Sequence, residues 1–339
     1  MKTNTQKIIK IWDIIHNSKN ILLHLHPGPD GDSVGSALSF MFALKHLKKN
    51  VTLISGDSSL PPNLLSLPGT DKILNKNLFQ IDLKKFDLFL ILDASAPNLI
   101  SNLGEIKFPS NLKTIIIDHH DTNLNFAQIN LVDKDSPATC QILYEVYKQG
   151  NIKIDENMAL CLFTGMYTDS GGFKYPRTTS KTFEICAELA KINDNFPKTI
   201  FEIENNESPD KLKMLALYLS SIENYFKDQV AIASVSQKIL QDSHLNLQAS
   251  ESLNVANMLK SVVGWDIGIS LIEYQPEKVK VSFRTRKPDV YDVSKIAQAL
   301  GTGGGHKAAA GALISKPLDE AKKYLLKTIA TIYPELGKI

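Results

Sequence analysis

The 339-residue chain is 43% hydrophobic and 22% charged, the composition of an ordinary soluble globular protein with room for two domains. Its 38 basic and 36 acidic residues leave a net charge of +2, which excludes a global field suited to long nucleic acid but not a short anion held by local charges. Cys140, Cys161 and Cys186 are widely spaced on apolar helical stretches, which excludes a disulfide frame or a zinc finger and makes them reduced core residues.

Residues 1–19 interleave Lys, Asn, Trp and Ile without the unbroken apolar core of a secretion signal, and no later run reaches membrane-spanning length. A cytoplasmic protein without a membrane partner is expected. Ile21 to Leu25 is an apolar run of strand type and Val34 to Lys48 carries a helix-forming pattern. The run His26-Pro27-Gly28-Pro29-Asp30-Gly31-Asp32-Ser33-Val34-Gly35-Ser36 therefore occupies a strand-to-helix turn. In a parallel α/β sheet that turn lies at the carboxyl edge, where ligands bind, and Gly31 and Gly35 are expected to let the backbone bend and approach a ligand. An Asp-Gly-Asp turn before a helix is also a common N-cap. On this segment alone, capping and metal binding stand level.

Val51 to Ser55, Leu88 to Asp93 and Thr114 to Asp118 read as further strands, which gives an α/β class with a doubly wound, mainly parallel sheet. Asp93 closes a wholly apolar run, with helix capping as its plain alternative. Asp118-His119-His120 opens abruptly from an apolar strand, and successive side chains diverge there. His119 and His120 are therefore expected to do different work, one facing ions and one facing substrate.

Helices are expected over Ala138 to Gln149, Glu156 to Thr168 and Lys181 to Lys191. Asp169 falls at the carboxyl end of a helix that is apolar nearly all round, where the helix dipole disfavours an anion, so a positive group is expected beside it. Lys174, Tyr175 and Arg177 follow as lesser candidates for ligand contact. Phe196 to Ser221 reads as a helical connection, which sets a first domain at 1–192, a linker at 193–221 and a smaller α/β domain at 222–339. In the last, Val230 to Val235, Asp266 to Glu273 and Lys278 to Arg284 read as strands, and 253–261, 293–300 and 318–332 as helices.

Arg284 and Arg286 share a strand face, and arginine clamps phosphate or stacks on a base; simple solvation of one of them is an equal alternative. Gly301-Thr302-Gly303-Gly304-Gly305-His306-Lys307 reads as a loop whose exposed amides suit a phosphate, or else as a hinge ahead of a strand. His16, His24, His46 and His244 lie outside these motifs and are expected at the surface or in packing. Gathering Asp30, Asp32, Asp93 and Asp169 in one crevice is strongly repulsive without cations. Two divalent metals would offset about four charges, with His26 and His119 as neutral ligands, and mixed imidazole and carboxylate ligation favours manganese over magnesium, cobalt or iron.

The ordered set H-x-x-P-D-x-D-x-x-G-S, a strand-terminal Asp, D-H-H and a late helix-terminal Asp resembles the DHH phosphoesterase superfamily. Gly303-Gly304-Gly305-His306 resembles the GGGH motif of its associated substrate-binding domain, and together these motifs span nearly the whole chain. The resemblance implies one metal on His26, Asp30 and Asp93 and a second on Asp32, Asp93, His119 and Asp169, with Asp93 bridging. Asp32, Asp93 and His120 are then the catalytic residues, His120 beside the scissile phosphate, with Gly303 to His306, Arg284 and Arg286 on the substrate. Ala94-Ser95-Ala96 departs from the more polar residues often found after the bridging Asp and leaves the ligand untouched.

The implied active site lies in a cleft between the two domains. Among family members the chain is most similar to the stand-alone NrnA type, which implies hydrolysis of very short oligonucleotides (nanoRNA, linear dinucleotides such as pApA) and of 3'-phosphoadenosine 5'-phosphate to mononucleotides. Rival readings are a cyclic di-AMP phosphodiesterase, a RecJ-like single-strand exonuclease and a non-enzymatic nucleotide-binding regulator. The near-neutral charge opposes the exonuclease and the intact ligand set opposes the regulator. A homodimer is implied by the family alone.

Overall fold

Five short runs, β1 (Asn20–His24), β2 (Asn50–Ile54), β3 (Leu88–Leu92), β4 (Lys113–Asp118) and β5 (Ile129–Val132), pair in parallel in the order β2-β1-β3-β4-β5. β3 is buried along its whole length, as a central parallel strand with both faces covered must be. The strand order reverses between β1 and β3, so the segments following these two strands flank the switch point where open α/β sheets bind ligands. The computed structural model describes residues 2–206, 208–245, 247 and 253–337.

Helices α1 (Lys2–Asn17), α2 (Gly31–His46), α3 (Thr139–Gln149), α4 (Glu156–Asp169) and α5 (Ser180–Ile192) share one core with Leu23, Leu90 and Ile117 of the sheet. The opposite sheet face, with Leu22, Phe89 and Ile116, packs under Leu78, Ile100 and Phe108 from 3-10 turns and irregular segments. Cys140, Cys161 and Cys186 are buried and free. His24 is the packed histidine expected outside the motifs, edge-on to Phe89 with both ring nitrogens unpartnered, and burial pulls its pKa down to about 4.

Gly31 and Gly35 lie within α2 and not in a bend, which corrects the role expected of them. A Cβ on Gly31 would stand 2.3 Å from Thr168 Oγ1, and one on Gly35 would stand 2.4 Å from the Cys161 carbonyl oxygen. Both glycines therefore admit α4 against α2. That approach carries Asp169, the last residue of α4, towards Asp32 in the first turn of α2.

The first compact unit runs over Met1–Asn206, because helix α6 (Phe196–Glu204) is tied back to it. Asn63 Nδ2 donates to the Ile203 carbonyl at 3.2 Å and Asn206 Nδ2 to the Pro62 carbonyl at 3.1 Å. Helix α7 (Pro209–Ser220), from the same expected linker, instead gives Met214 and Tyr218 to the core of the second unit, Glu207–Ile339. Glu207 lies outside the described residues.

The second unit is a mixed sheet of β6 (Glu223–Tyr225), β7 (Val230–Val235), β8 (Ile267–Gln275), β9 (Lys278–Thr285), β10 (Gly304–His306) and β11 (Ala309–Ile314), in the order β10-β11-β9-β8-β7-β6. One face packs α8 (Gln237–Asp242) and α9 (Val255–Ser261) with α7; the other packs α10 (Val293–Ala299) and α11 (Leu318–Ile332). Part of the expected glycine loop is thus an exposed edge strand. Gly304 to His306 find antiparallel partners in Gly311 to Ala309. No helix among the described residues is long and apolar enough to cross a membrane.

Candidate metal centre

The segment leaving β1 brings two acids and a histidine to the switch point. Asp30 caps α2, its Oδ1 accepting from the backbone N–H groups of Asp32 at 3.0 Å and Ser33 at 2.9 Å. The same oxygen stands 3.7 Å from His26 Nε2, so the cap aims the carboxylate and the two readings of this turn are compatible. Asp32 is fully buried, and its two oxygens accept from the backbone N–H groups of Thr139 at 2.6 Å and Cys140 at 2.9 Å. The amino end of α3 thus holds this anion with oriented amides and the helix dipole.

Asp93 follows β3 with φ of +56°, a left-handed conformation that costs an aspartate roughly 1 kcal/mol. Its N–H bonds the Ile117 carbonyl at 3.1 Å and its Oδ1 accepts from Thr139 Oγ1 at 3.1 Å, so the strained backbone is pinned from both sides. The carboxylate lies between two histidines: Oδ2 is 3.6 Å from His26 Nε2 and Oδ1 is 3.5 Å from His119 Nε2. Asp169 Oδ2 is 3.2 Å from His119 Nε2, and the positive groups that act on it at this helix end are His120 and Arg177.

The two adjacent histidines do not diverge after β4 as expected: their ring centroids lie 4.4 Å apart, and what differs is the partner each ring takes. His119 is buried, and its Nδ1 faces the Ser136 carbonyl at 3.3 Å. His120 is half-buried and its Nδ1 meets Asp118 Oδ1 at 2.7 Å, while Asn123 Nδ2 donates to Asp118 Oδ2 at 2.6 Å. Asp118 is therefore turned to His120. Asn123, Thr139 and Ser136 were not singled out from the sequence; only the Pro137-Ala138 lead into a helix hinted at Thr139.

Charge is unbalanced in this cluster. Burial and the neighbouring Asp93 and Asp169 push the Asp32 carboxyl well above the usual range, and burial with Asp93 and Asp30 pushes Asp169 up to about 7. Burial pulls the His26 imidazole down, but its bonds to Asp30 and Asp93 override this and raise it to about 11. Burial lowers His119, whereas the bond to Asp118 raises His120 to about 9. Carboxylates that hold a proton on His26 this firmly attract any cation that fits among them.

The donor set fits divalent ions. Ligand atoms of His26, Asp30 and Asp93 lie within 4.8 Å of one another, as do those of Asp32, His119 and Asp169, and of Asp93, His119 and His120. His26 Nδ1 faces the Pro27 carbonyl at 3.1 Å just as His119 Nδ1 faces Ser136, which leaves Nε2 of each ring towards the carboxylates. Metal-ligating histidines are oriented in this way by their second nitrogen.

In the second unit, registers His306↔Ala309, Ala309↔Arg284 and Gly268↔Arg284 align these residues across four strands. Directly opposed residues share a face, so the small Ala309 stands between His306 and Arg284 on the face where α9 packs against Gly268. Arg286 is exposed and donates from Nη1 to the Val262 carbonyl at 2.6 Å. Gly303 precedes β10, and a Cβ there would stand 2.5 Å from the Gly311 carbonyl oxygen.

Residues 20–166 match the DHH family N-terminal domain, and residues 227–333 match the DHHA1 domain. The chain carries a DHH family N-terminal domain and a DHHA1 domain. It is 25% identical over 330 residues to the bifunctional oligoribonuclease and PAP phosphatase NrnA of Bacillus subtilis, covering 96% of each chain. It is 26% identical over 323 residues to a probable NrnA of Streptococcus mutans, covering 94% of each. Its fold is that of an exopolyphosphatase-related protein from Bacteroides fragilis, with a TM-score of 0.85 at 24% identity over 98% of this chain and 97% of that one.

Proposed function

We propose that this chain is a divalent-metal-dependent phosphoesterase that hydrolyses very short oligonucleotides, and 3'-phosphoadenosine 5'-phosphate, to mononucleotides. The observation that carries this reading is the convergence of His26, Asp30, Asp32, Asp93, His119 and Asp169 at one sheet switch point. The names of relatives matching end to end give it a substrate class. His26, Asp30 and Asp93 would hold one ion and Asp32, Asp93, His119 and Asp169 another, with Asp93 shared; imidazole beside carboxylate suits manganese. Two such ions supply Lewis acidity, both activating water and stabilising charge on phosphoryl oxygens.

The chain's own groups do the rest. Asp118, held by Asn123, fixes His120 through Nδ1 and favours its protonated form, in which Nε2 would donate a hydrogen bond to the phosphoryl group or a proton to the leaving oxygen. Thr139 anchors both Asp32 and Asp93, so the first turn of α3 sets the spacing of the acids. His306 and Arg284, aligned across Ala309, would grip a terminal phosphate, and Arg286 follows just past the end of β9.

A manganese-dependent assay on pApA, 3'-phosphoadenosine 5'-phosphate, cyclic di-AMP and a long single strand tests the reading. Mononucleotide release from the first two is expected. Turnover confined to cyclic di-AMP or to the long strand would sink it.

A further inference from the structure

Beside the acidic cluster, and wholly within the first unit, lies a cavity of about 320 Å³ lined by His119, Pro137, Asp169, Tyr175, Pro176 and Arg177. His119 and Asp169 are part of the candidate metal centre, so a molecule filling this cavity would reach that centre. The other four residues supply an aromatic ring, two proline rings and a guanidinium. Ligand cavities run from about 300 to 1,000 Å³, and this one at the small end suits a single ring system in place of a whole dinucleotide.

The segment that carries Tyr175 is built as a pedestal. Gly171, Gly172 and Phe173 all have positive φ, between 63° and 65°, and wind the chain tightly after α4. The Ser170 carbonyl accepts from the N–H groups of both Lys174 and Tyr175 at 3.0 Å. Phe173 anchors the turn among the rings of Tyr167 and Phe183, with centroids 5.6 and 5.2 Å away. Tyr175 folds back over Gly171, where a Cβ would stand 2.6 Å from its ring, yet Tyr175 remains 56% exposed. An aromatic side chain held rigid and left open to solvent presents a preorganised flat surface.

Arg177 is fixed as firmly. Its Nη1 donates to the His119 carbonyl at 3.3 Å and its Nη2 to the Asp121 carboxylate, which holds the plane of the guanidinium in place beside the metal cluster. A fixed guanidinium stacks on flat π-systems as well as pairing with anions.

We propose that this cavity receives the nucleobase of the nucleotide whose phosphate reacts at the acidic centre, with Tyr175 as its stacking platform and Arg177 and the two prolines as its walls. The inference rests on the nucleotide reading given above and adds a base-recognition element to it, separate from the phosphate-gripping face of the second unit. Stacking on an aromatic ring is tolerant of base identity, so the pocket favours nucleotides over base-free phosphoesters without selecting a sequence.

The test compares Tyr175→Ala, Tyr175→Phe and wild type on pApA and on two analogues lacking either the 5' or the 3' base, in manganese. Tyr175→Ala is expected to raise KM for pApA about tenfold, within the range of a lost base–aromatic stack, with kcat moving less, and Tyr175→Phe to recover the wild-type KM. With one of the abasic analogues the Tyr175→Ala difference should vanish, which identifies the base in the pocket. An unchanged KM for pApA in Tyr175→Ala, or an equal loss on pApA and both abasic analogues, overturns the inference. Wild-type protein inert towards every nucleotide but active on other phosphoesters would overturn the functional reading itself, and this assignment with it.

Discussion

The two units handle charge in opposite ways. In the first, Asp32, Asp93 and Asp118 are almost wholly buried and like charges face one another, so the site is costly unless cations neutralise it. In the second, His306 and Arg286 are exposed and Arg284 is half-exposed, so solvent screens them and their presence costs the fold little. Chemistry that needs a dry, preorganised field belongs with the first arrangement, and a reversible grip on an anion with the second. The contrast separates residues whose loss should stop turnover from residues whose loss should weaken binding.

Asp93→Ala breaks the contrast at its strongest point. The carboxylate lies between His26 and His119, and its removal should cut kcat about a thousandfold or more in a manganese assay. Measurable full turnover at saturating manganese would refute a shared bridging acid. Next in size is ligand removal: chelation should abolish activity and lower thermal stability, and manganese at roughly a hundred times its Kd should restore about 3 kcal/mol. Hydrogen exchange should confine that gain to amides of the first unit, Thr139 and Cys140 among them; equal protection of the second unit would contradict the division.

His306→Ala tests the other side. It should raise KM for pApA about tenfold with a smaller change in kcat and no loss of melting temperature beyond a degree or two. A kcat effect as large as that of Asp93→Ala would place His306 in the chemistry and erase the contrast.

Asp87 gives the smallest effect and serves as a control carboxylate. It is exposed, accepts from the backbone N–H groups of Lys19 and Asn20 at 2.8 Å each, and those bonds hold its carboxyl below the usual range. A depressed folded pKa stabilises the protein above the ordinary carboxylate range and loses that contribution as pH falls. Asp87→Asn should therefore cost under about 1 kcal/mol at neutral pH and nothing in strong acid, as read from denaturant melts. The cluster carboxylates Asp32 and Asp169 are shifted upwards and carry the opposite sign.

Residues placed by strand periodicity were legible before the fold was known. His26, Asp30, Asp93, His119 and His120 each follow an apolar strand closely, and in a parallel sheet that position alone sends them to one edge. β5 was missed because Asn130 interrupts a four-residue run, and β10 because glycines carry no pattern of their own until β11 pairs with them. The boundary near 192 moved to Asn206 because two asparagine side chains tie α6 back to Pro62 and Asn63, contacts separated by 140 residues or more.

What the sequence determined by itself was the identity and order of the chemical groups, since strand ends, caps and the helix end at Asp169 are local properties of a few neighbouring residues. Only tertiary structure decided their partners. The approach of α4 through Gly31 and Gly35 brought Asp169 to Asp32, the first turn of α3 supplied the amides that hold Asp32, and the geometry after β4 turned Asp118 to His120. Side-chain partners across such distances are set by helix packing and strand order, which no window of local sequence contains.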